Sequence, residues 1–199
     1  MEVMTTTQLQ TGRFVRNAVG HCVGGDLAIV EIEPEFVFLA LVDVLGHGPQ
    51  AYSTAIEIEE AIRGWTPKWD LLSLMRYLQE HQAKGRGAVV GLVTIEPSTG
   101  AVRYVGIGNT VCRTLGTHPR HMLTREGVVG QTMRTPSLET QTLQEDELLL
   151  LHSDGVSGRF ELDQCPQLRC DTSQRAAQRV VETFGQPHDD ASCIVARFQ

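Results

Sequence analysis

Four short segments spread along the chain each carry an aspartate, mostly beside glycine. They are Gly24-Gly25-Asp26, Val42-Asp43-Val44-Leu45-Gly46-His47-Gly48, His152-Ser153-Asp154-Gly155 and His188-Asp189-Asp190-Ala191-Ser192. Three of the four adjoin runs of strand-forming residues, which predicts carboxylates at strand ends. Gathered in one place, such groups repel one another, and each is driven towards its neutral form. A hard divalent cation removes that conflict, because Mg2+ and Mn2+ favour oxygen ligands. The pattern points to metal-dependent hydrolysis.

Asp43 closes a nearly continuous apolar run from Phe36 to Val44, where an uncompensated carboxylate is costly. The glycines after it let backbone groups approach an ion or phosphate. The plainer reading is an aspartate in a strand-to-helix turn, with Pro49 opening the helix. Gly-Gly-Asp and Ser-Asp-Gly likewise read as ordinary turns, and Asp189-Asp190 as a solvated loop. Four such turns arising independently is a weaker explanation than one shared site. His21, His47, His152 and His188 each lie within five residues of an aspartate motif. Such histidines serve as metal ligands, as partners of ligands, as proton donors, or as satisfied structural residues.

With 199 residues and 41% hydrophobic content, the chain predicts a single domain over residues 1–199 with a full core. Its net charge of −7, from 24 acidic and 17 basic residues, argues against a nucleic-acid surface and favours solubility. Met1 to Thr5 lack the basic and apolar regions of a signal peptide. No apolar run approaches the ~20 residues needed to cross a bilayer. Cys22, Cys112, Cys165, Cys170 and Cys193 are odd in number and irregularly spaced, which predicts free thiols in a reducing cytoplasm. The expectation is a cytoplasmic monomer with neither membrane nor nucleic acid as partner.

Strands are expected over Arg13 to Val19 and Leu27 to Glu33, either side of the Gly24-Gly25 turn, and over Phe36 to Val44. Pro49 suits a first helical residue, and Ala51, Ala55, Ile58 and Ile62 form an apolar stripe on a helix reaching about Arg63. Asp70 can cap a second helix from Leu71 to His81. Ala88 to Ile95 and Ala101 to Ile107 flank a hairpin turn, and Val111 to Leu115 follow as a strand. The polar stretch from Gly116 to Asp146 predicts one or two irregular strands. A strand from Glu147 to His152 delivers Asp154, a helix spans Thr172 to Phe184, and a last strand runs from Ala191 to Phe198. This order favours an α+β domain with mostly antiparallel sheets and segregated helices.

As a set, the four motifs and Tyr104-Val105-Gly106-Ile107-Gly108-Asn109 resemble the metal-dependent protein serine/threonine phosphatases of the PPM family. More narrowly they are similar to its bacterial SpoIIE/RsbX branch, and the short length resembles the free-standing stressosome phosphatases of that branch. The resemblance spans the chain from Gly24 to the last strand, and it is specific as a set although each element is weak. It implies a four-layer α-β-β-α sandwich with two mainly antiparallel sheets. It further implies two divalent cations, Mn2+ or Mg2+, bridged by Asp43, with the Val44 carbonyl helping to hold the second. Asp154 and Asp189 would complete the first ion's shell, and Asp26 would act directly or through water. Asp190 is an alternative ligand to Asp189, since many relatives carry asparagine there. The family usually has glycine where Val44 stands. His47 aligns with a histidine implicated in leaving-group protonation, which implies a catalytic role beside Asp43. No arginine clearly matches the family's phosphate-binding arginine; Arg13 and Arg16 are the nearest upstream. The substrates implied are phosphorylated STAS-domain proteins of a stressosome.

Two other readings compete. His188-Asp189 is the dipeptide of HD-type phosphohydrolases, which act on small phosphorylated molecules and place their ligands on helices. A non-catalytic binding module with a degenerate site is the other.

Overall fold

The computed structural model describes residues 9–82 and 85–198. The leader reading of Met1 to Thr5 therefore lies outside the described residues. In chain order the elements are β1 (Leu9–Arg16), β2 (Asp26–Ile32), β3 (Val37–Val44), α1 (Pro49–Gly64), α2 (Leu71–His81), β4 (Ala88–Ile95), β5 (Ala101–Ile107), β6 (Val111–Leu115), β7 (Glu139–Thr142), β8 (Leu148–His152), α3 (Ser173–Phe184) and β9 (Ala191–Phe198). Two sheets form, ordered β1-β9-β8-β6 and β2-β3-β4-β5-β7. Every strand pairing is antiparallel.

Alternation along β3 explains the layering. Phe38, Ala40, Val42 and Val44 point towards α1 and α2, where Ala51, Ala55, Ile58 and Ile62 cover them. Leu39 and Leu41 point the other way and meet Leu149, Leu151 and Ile194 of the second sheet. α3 covers that sheet's outer face through Ala176, Ala177, Val180 and Val181. The result is the four-layer α-β-β-α sandwich, with helices segregated to the two outer faces. β3 is buried nearly throughout because both its faces are covered. By the same alternation Asp43 continues the inward series of Leu39 and Leu41, and so reaches the open end of the seam between the sheets.

The helix signals hold at residue level. Pro49 opens α1, and the Asp70 side chain accepts a hydrogen bond from the Ser73 amide at 3.1 Å to cap α2. The β4–β5 hairpin pairs as expected. One expectation changes. β1 starts at Leu9 and ends at Arg16, and it pairs with β9 rather than sharing a sheet with β2. The stretch from residue 17 to 25 carries the chain from one sheet to the other, through Gly20 in a left-handed conformation (φ 91°). The stretch between residues 116 and 146 holds one strand, β7, as expected, alongside isolated bridges such as Ala88 with Val129. That stretch is too polar to present a buried strand face. All five cysteines are free.

Gly12 lets α3 lie against β1: a β-carbon there would stand 2.2 Å from the Gln174 amide nitrogen and 2.4 Å from the Ser173 carbonyl carbon. Helix backbone cannot yield as a side chain does. Gly12→Ala is therefore expected to lower unfolding free energy by about 1–3 kcal/mol in a urea titration, as overpacking does. Gly64→Ala, where nothing lies within 4 Å, should leave it unchanged or slightly raised.

Candidate functional site

Asp26 opens β2 and Asp43 is the penultimate residue of β3, and the two face each other in register. Asp26 is 7% exposed. Its Oδ2 accepts a hydrogen bond from the Ser153 hydroxyl at 2.8 Å, while its Oδ1 is buried with no partner. The Ser153 hydroxyl oxygen in turn accepts from the Ser192 amide at 3.0 Å. One serine thus ties the carboxylate of one sheet to the first turn of β9 in the other. Asp154, two residues beyond β8, accepts a hydrogen bond from the Asn109 side-chain amide at 2.5 Å and lies against the Asp43 carboxyl.

The two adjacent aspartates before β9 have different surroundings. Asp190 is buried and accepts backbone N–H bonds from Ala18 at 2.8 Å and Gly25 at 2.7 Å. Its two oxygens are occupied in holding the crossover before β2. Asp189 is exposed, and its side chain is left near Asp154 and His47. The glycines of the motifs make this approach feasible. A β-carbon on Gly24 would stand 2.5 Å from an Asp190 carboxylate oxygen, and one on Gly155 would stand 1.8 Å from the Asp190 carbonyl oxygen. A β-carbon on Gly25 would press to 2.9 Å on the Val44 carbonyl oxygen.

Burial and mutual repulsion shape the electrostatics. Desolvation, followed by the charges of Asp26 and Asp154, pushes Asp43 up to about 9. Desolvation likewise lifts Asp26 to about 7, with the nearby Ser192 and Ser153 hydroxyls pulling the other way. Asp189 is raised too, by desolvation first and Asp154 second, with His47 pulling the other way. Among the described residues no three His, Cys, Asp or Glu side chains already stand in an ion-holding cluster. The donor set nevertheless suits a hard cation: all its members are oxygens, one buried carboxylate oxygen of Asp26 lacks a partner, and positive charge is what these pKa shifts call for.

The histidines separate into two kinds. His21 and His47 meet on the exposed rim, with ring centroids 4.7 Å apart. His188 is also exposed. His152 is fully buried on the outer face of its sheet, with Nδ1 2.9 Å from the Ser153 carbonyl oxygen and burial pushing its pKa down to about 4. It is a neutral structural residue. Strand alternation turns it away from the seam, despite its place beside Asp154. Arg16 is spent on the end of α3, donating to the Gln186 carbonyl at 2.6 Å. Arg13 donates to the Ala28 carbonyl at 2.5 Å and shares a groove of about 390 Å3 with Asp26 and Glu59.

Three residues at the site escape a reading of the motifs alone. Ser153 and Asn109 hold two of the carboxylates, and the Asn109 turn is marked in the sequence by Gly108, which is left-handed (φ 101°). Arg86 lies along the loop after Asp43, donating to the Leu45 carbonyl at 3.0 Å and the Gln50 side chain at 2.7 Å. Nothing near it in sequence signals that role.

Residues 33–199 match the family described as stage II sporulation protein E, SpoIIE. The chain belongs to the SpoIIE family. This places it among the metal-dependent serine/threonine phosphatases, whose α+β sandwich it shares. No curated protein matches by sequence. Among solved structures, one of the bacterial stressosome, described as a modular system adapted to control secondary messenger signalling, superposes with a TM-score of 0.82 at 26% identity, covering 96% of this chain and 100% of that one. RsbX in complex with magnesium superposes at 0.79 and 18% identity, covering 96% of each chain. The PP2C phosphatase domain of SpoIIE from Bacillus subtilis gives 0.75 at 19% identity, covering 97% of this chain and 64% of that one.

In this SpoIIE-family site, a raised carboxyl pKa means the folded state holds protons more tightly than the unfolded chain. Stability is then present below the unfolded value near 4 and lost as pH rises through the folded value, about 7 for Asp26 and about 9 for Asp43. In chelator, unfolding free energy should therefore fall between pH 5 and about 9, and Asp43→Asn should flatten most of that fall. A second comparison separates the adjacent pair. Asp190→Ala should cost about 2–3 kcal/mol, because two buried amides lose a charged acceptor, whereas Asp189→Ala should leave metal-free stability unchanged or higher. Denaturant melts of both variants provide the check.

Proposed function

We propose that this chain is a protein serine/threonine phosphatase that removes phosphate from phosphorylated STAS-domain proteins of a stressosome, in the manner of RsbX. The observation that carries this reading is the in-register Asp26–Asp43 pair meeting Asp154 and Asp189 from the opposite sheet, in a chain 96% of which superposes on stressosome and RsbX structures. The branch assignment and the substrate rest on that likeness. We place the protein in the cytoplasm as a monomer; no helix among the described residues is long and apolar enough to cross a membrane.

Asp43 would bridge two divalent cations, Mn2+ or Mg2+, with Asp154 and Asp189 on one, the Val44 carbonyl on the other, and Asp26 contributing directly or through water. When bound, such a pair activates water and neutralises phosphate charge. The protein's own groups then set the geometry. Ser153 fixes Asp26, Asn109 fixes Asp154, and Asp190 is withdrawn from ligation by its two backbone donors. His47, on the rim beside His21, would protonate the departing serine or threonine oxygen. Val44 in place of the usual glycine is compatible with this, because only its carbonyl is asked to bind and Gly25 keeps side chains off that oxygen.

The HD-type alternative loses ground because none of the four motifs lies within a helix. A non-catalytic module gives no reason to gather carboxylates that raise one another's pKa. The deciding assay measures release of phosphate from a phosphorylated STAS protein and from an aryl phosphate, with Mn2+, Mg2+ or chelator. Mn2+-dependent turnover is expected, and Asp43→Asn should remove at least about 100-fold of it with an unchanged circular dichroism spectrum. Wild-type turnover in that variant, or hydrolysis of nucleotides with no phosphoprotein activity, would contradict the proposal.

A further inference from the structure

Arg113 is 1% exposed, the largest fully buried side chain among the described residues. It projects from β6 on the outer face of its sheet, and its Nε and Nη2 have no hydrogen-bond partner. Glu161 acts on it from nearby and favours the charged form, though no ion pair forms between them, and His152, which also feels its charge, has a buried, unpartnered Nε2. Burying a cation with unmet donors is costly, and an apolar side chain of similar length would suit the place better for stability alone. Arg113 does make one strong contact: its guanidinium carbon lies 4.3 Å from the Phe160 ring centroid. Phe160 is also stacked on Phe184, at 4.0 Å between centroids and 5° between planes.

This stack lies beneath the two loops that carry Asp154 and Asp189. The Ser157 amide donates to the Phe184 carbonyl at 2.9 Å, Val156 bridges Gly185, and the Gln186 amide donates to the Gly155 carbonyl at 2.7 Å. The Gln186 side chain adds a bond to the Asp154 carbonyl at 3.0 Å. Phe160 lies six residues after Asp154, and Phe184 five before Asp189. These bonds join the two loops directly, and the Phe160–Phe184 stack packs at the roots of both.

We infer that Arg113, through its contact with Phe160 and the Phe160–Phe184 stack, is a positioning residue that sets the separation of Asp154 and Asp189. It touches neither carboxylate and is no ligand. The inference rests on the phosphatase reading, since it supposes that both carboxylates serve one ion site.

The test is Mn2+ binding by titration calorimetry on the full chain, together with thermal melts in chelator. Arg113→Met should weaken Mn2+ binding about 10-fold, the usual cost of losing a group that orients a ligand. Its melting temperature in chelator should stay level or rise, because a buried charge with unmet hydrogen-bond donors has gone. Arg113→Lys, which restores a cation over the ring, should recover most of the affinity, and Phe160→Leu should show the same loss as Arg113→Met. Should Arg113→Met not fold, the Phe160→Leu and Arg113→Lys pair decides. Wild-type Mn2+ affinity in the folded Met or Leu variants would overturn the positioning role while leaving the phosphatase reading intact. A lysine variant no better than methionine would overturn the cation–ring contact as its cause. Absence of Mn2+ binding by the wild type would overturn both this inference and the phosphatase reading.

Discussion

Like charges brought together at the mouth of a sandwich are the constraint round which this protein is organised. Asp26 and Asp43 come from one sheet and Asp154 and Asp189 from the loops of the other. Burial first, and their proximity second, raises the proton affinity of Asp26, Asp43 and Asp189. Ionising all of them together is therefore unfavourable. A cation offsets that repulsion when it is bound, but the folded chain also has its own means of keeping the mouth closed.

Those means are hydrogen bonds that cross between the sheets. Asp190 receives the amides of Ala18 and Gly25, and Ser153 joins Asp26 to the Ser192 amide. Both are buried and fully committed, so they act as fixed struts rather than adaptable surface contacts. The glycines at positions 24 and 155 are required because Asp190 occupies the space a side chain would need. What looks in the motifs like four copies of turn chemistry is a division of labour: Asp26 keeps one buried oxygen free of any partner, while Asp190 holds the backbone in place. On the far side of the same loops, the Arg113–Phe160–Phe184 stack supplies a second, mostly apolar support.

Much of this was legible in the residues. α1, α2, β4, β5, β6 and β9 follow from helical stripes, a capping aspartate and a hairpin turn, all of which are local signals. The partner of β1 was not legible, because neighbouring strands usually share a sheet and the switch depends on a crossover whose anchor, Asp190, lies 172 positions from Ala18. The same distance hides the difference between Asp189 and Asp190. Adjacent identical side chains are equivalent in sequence, and only the amides facing one of them break the tie. His152 shows the reverse error that proximity invites, for strand alternation sends it to the opposite face from Asp154's site. Arg113 sits in Val-Cys-Arg-Thr-Leu, where nothing distinguishes a buried cation from a surface one.

The most direct test of a shared cation site is anomalous scattering from crystals grown with Mn2+. The account predicts two peaks about 3.5–4 Å apart beside Asp43, with Asp154 and Asp189 as ligands and Asp190 still bound to its two amides. No peak there, or manganese held by Asp190 instead, would contradict it.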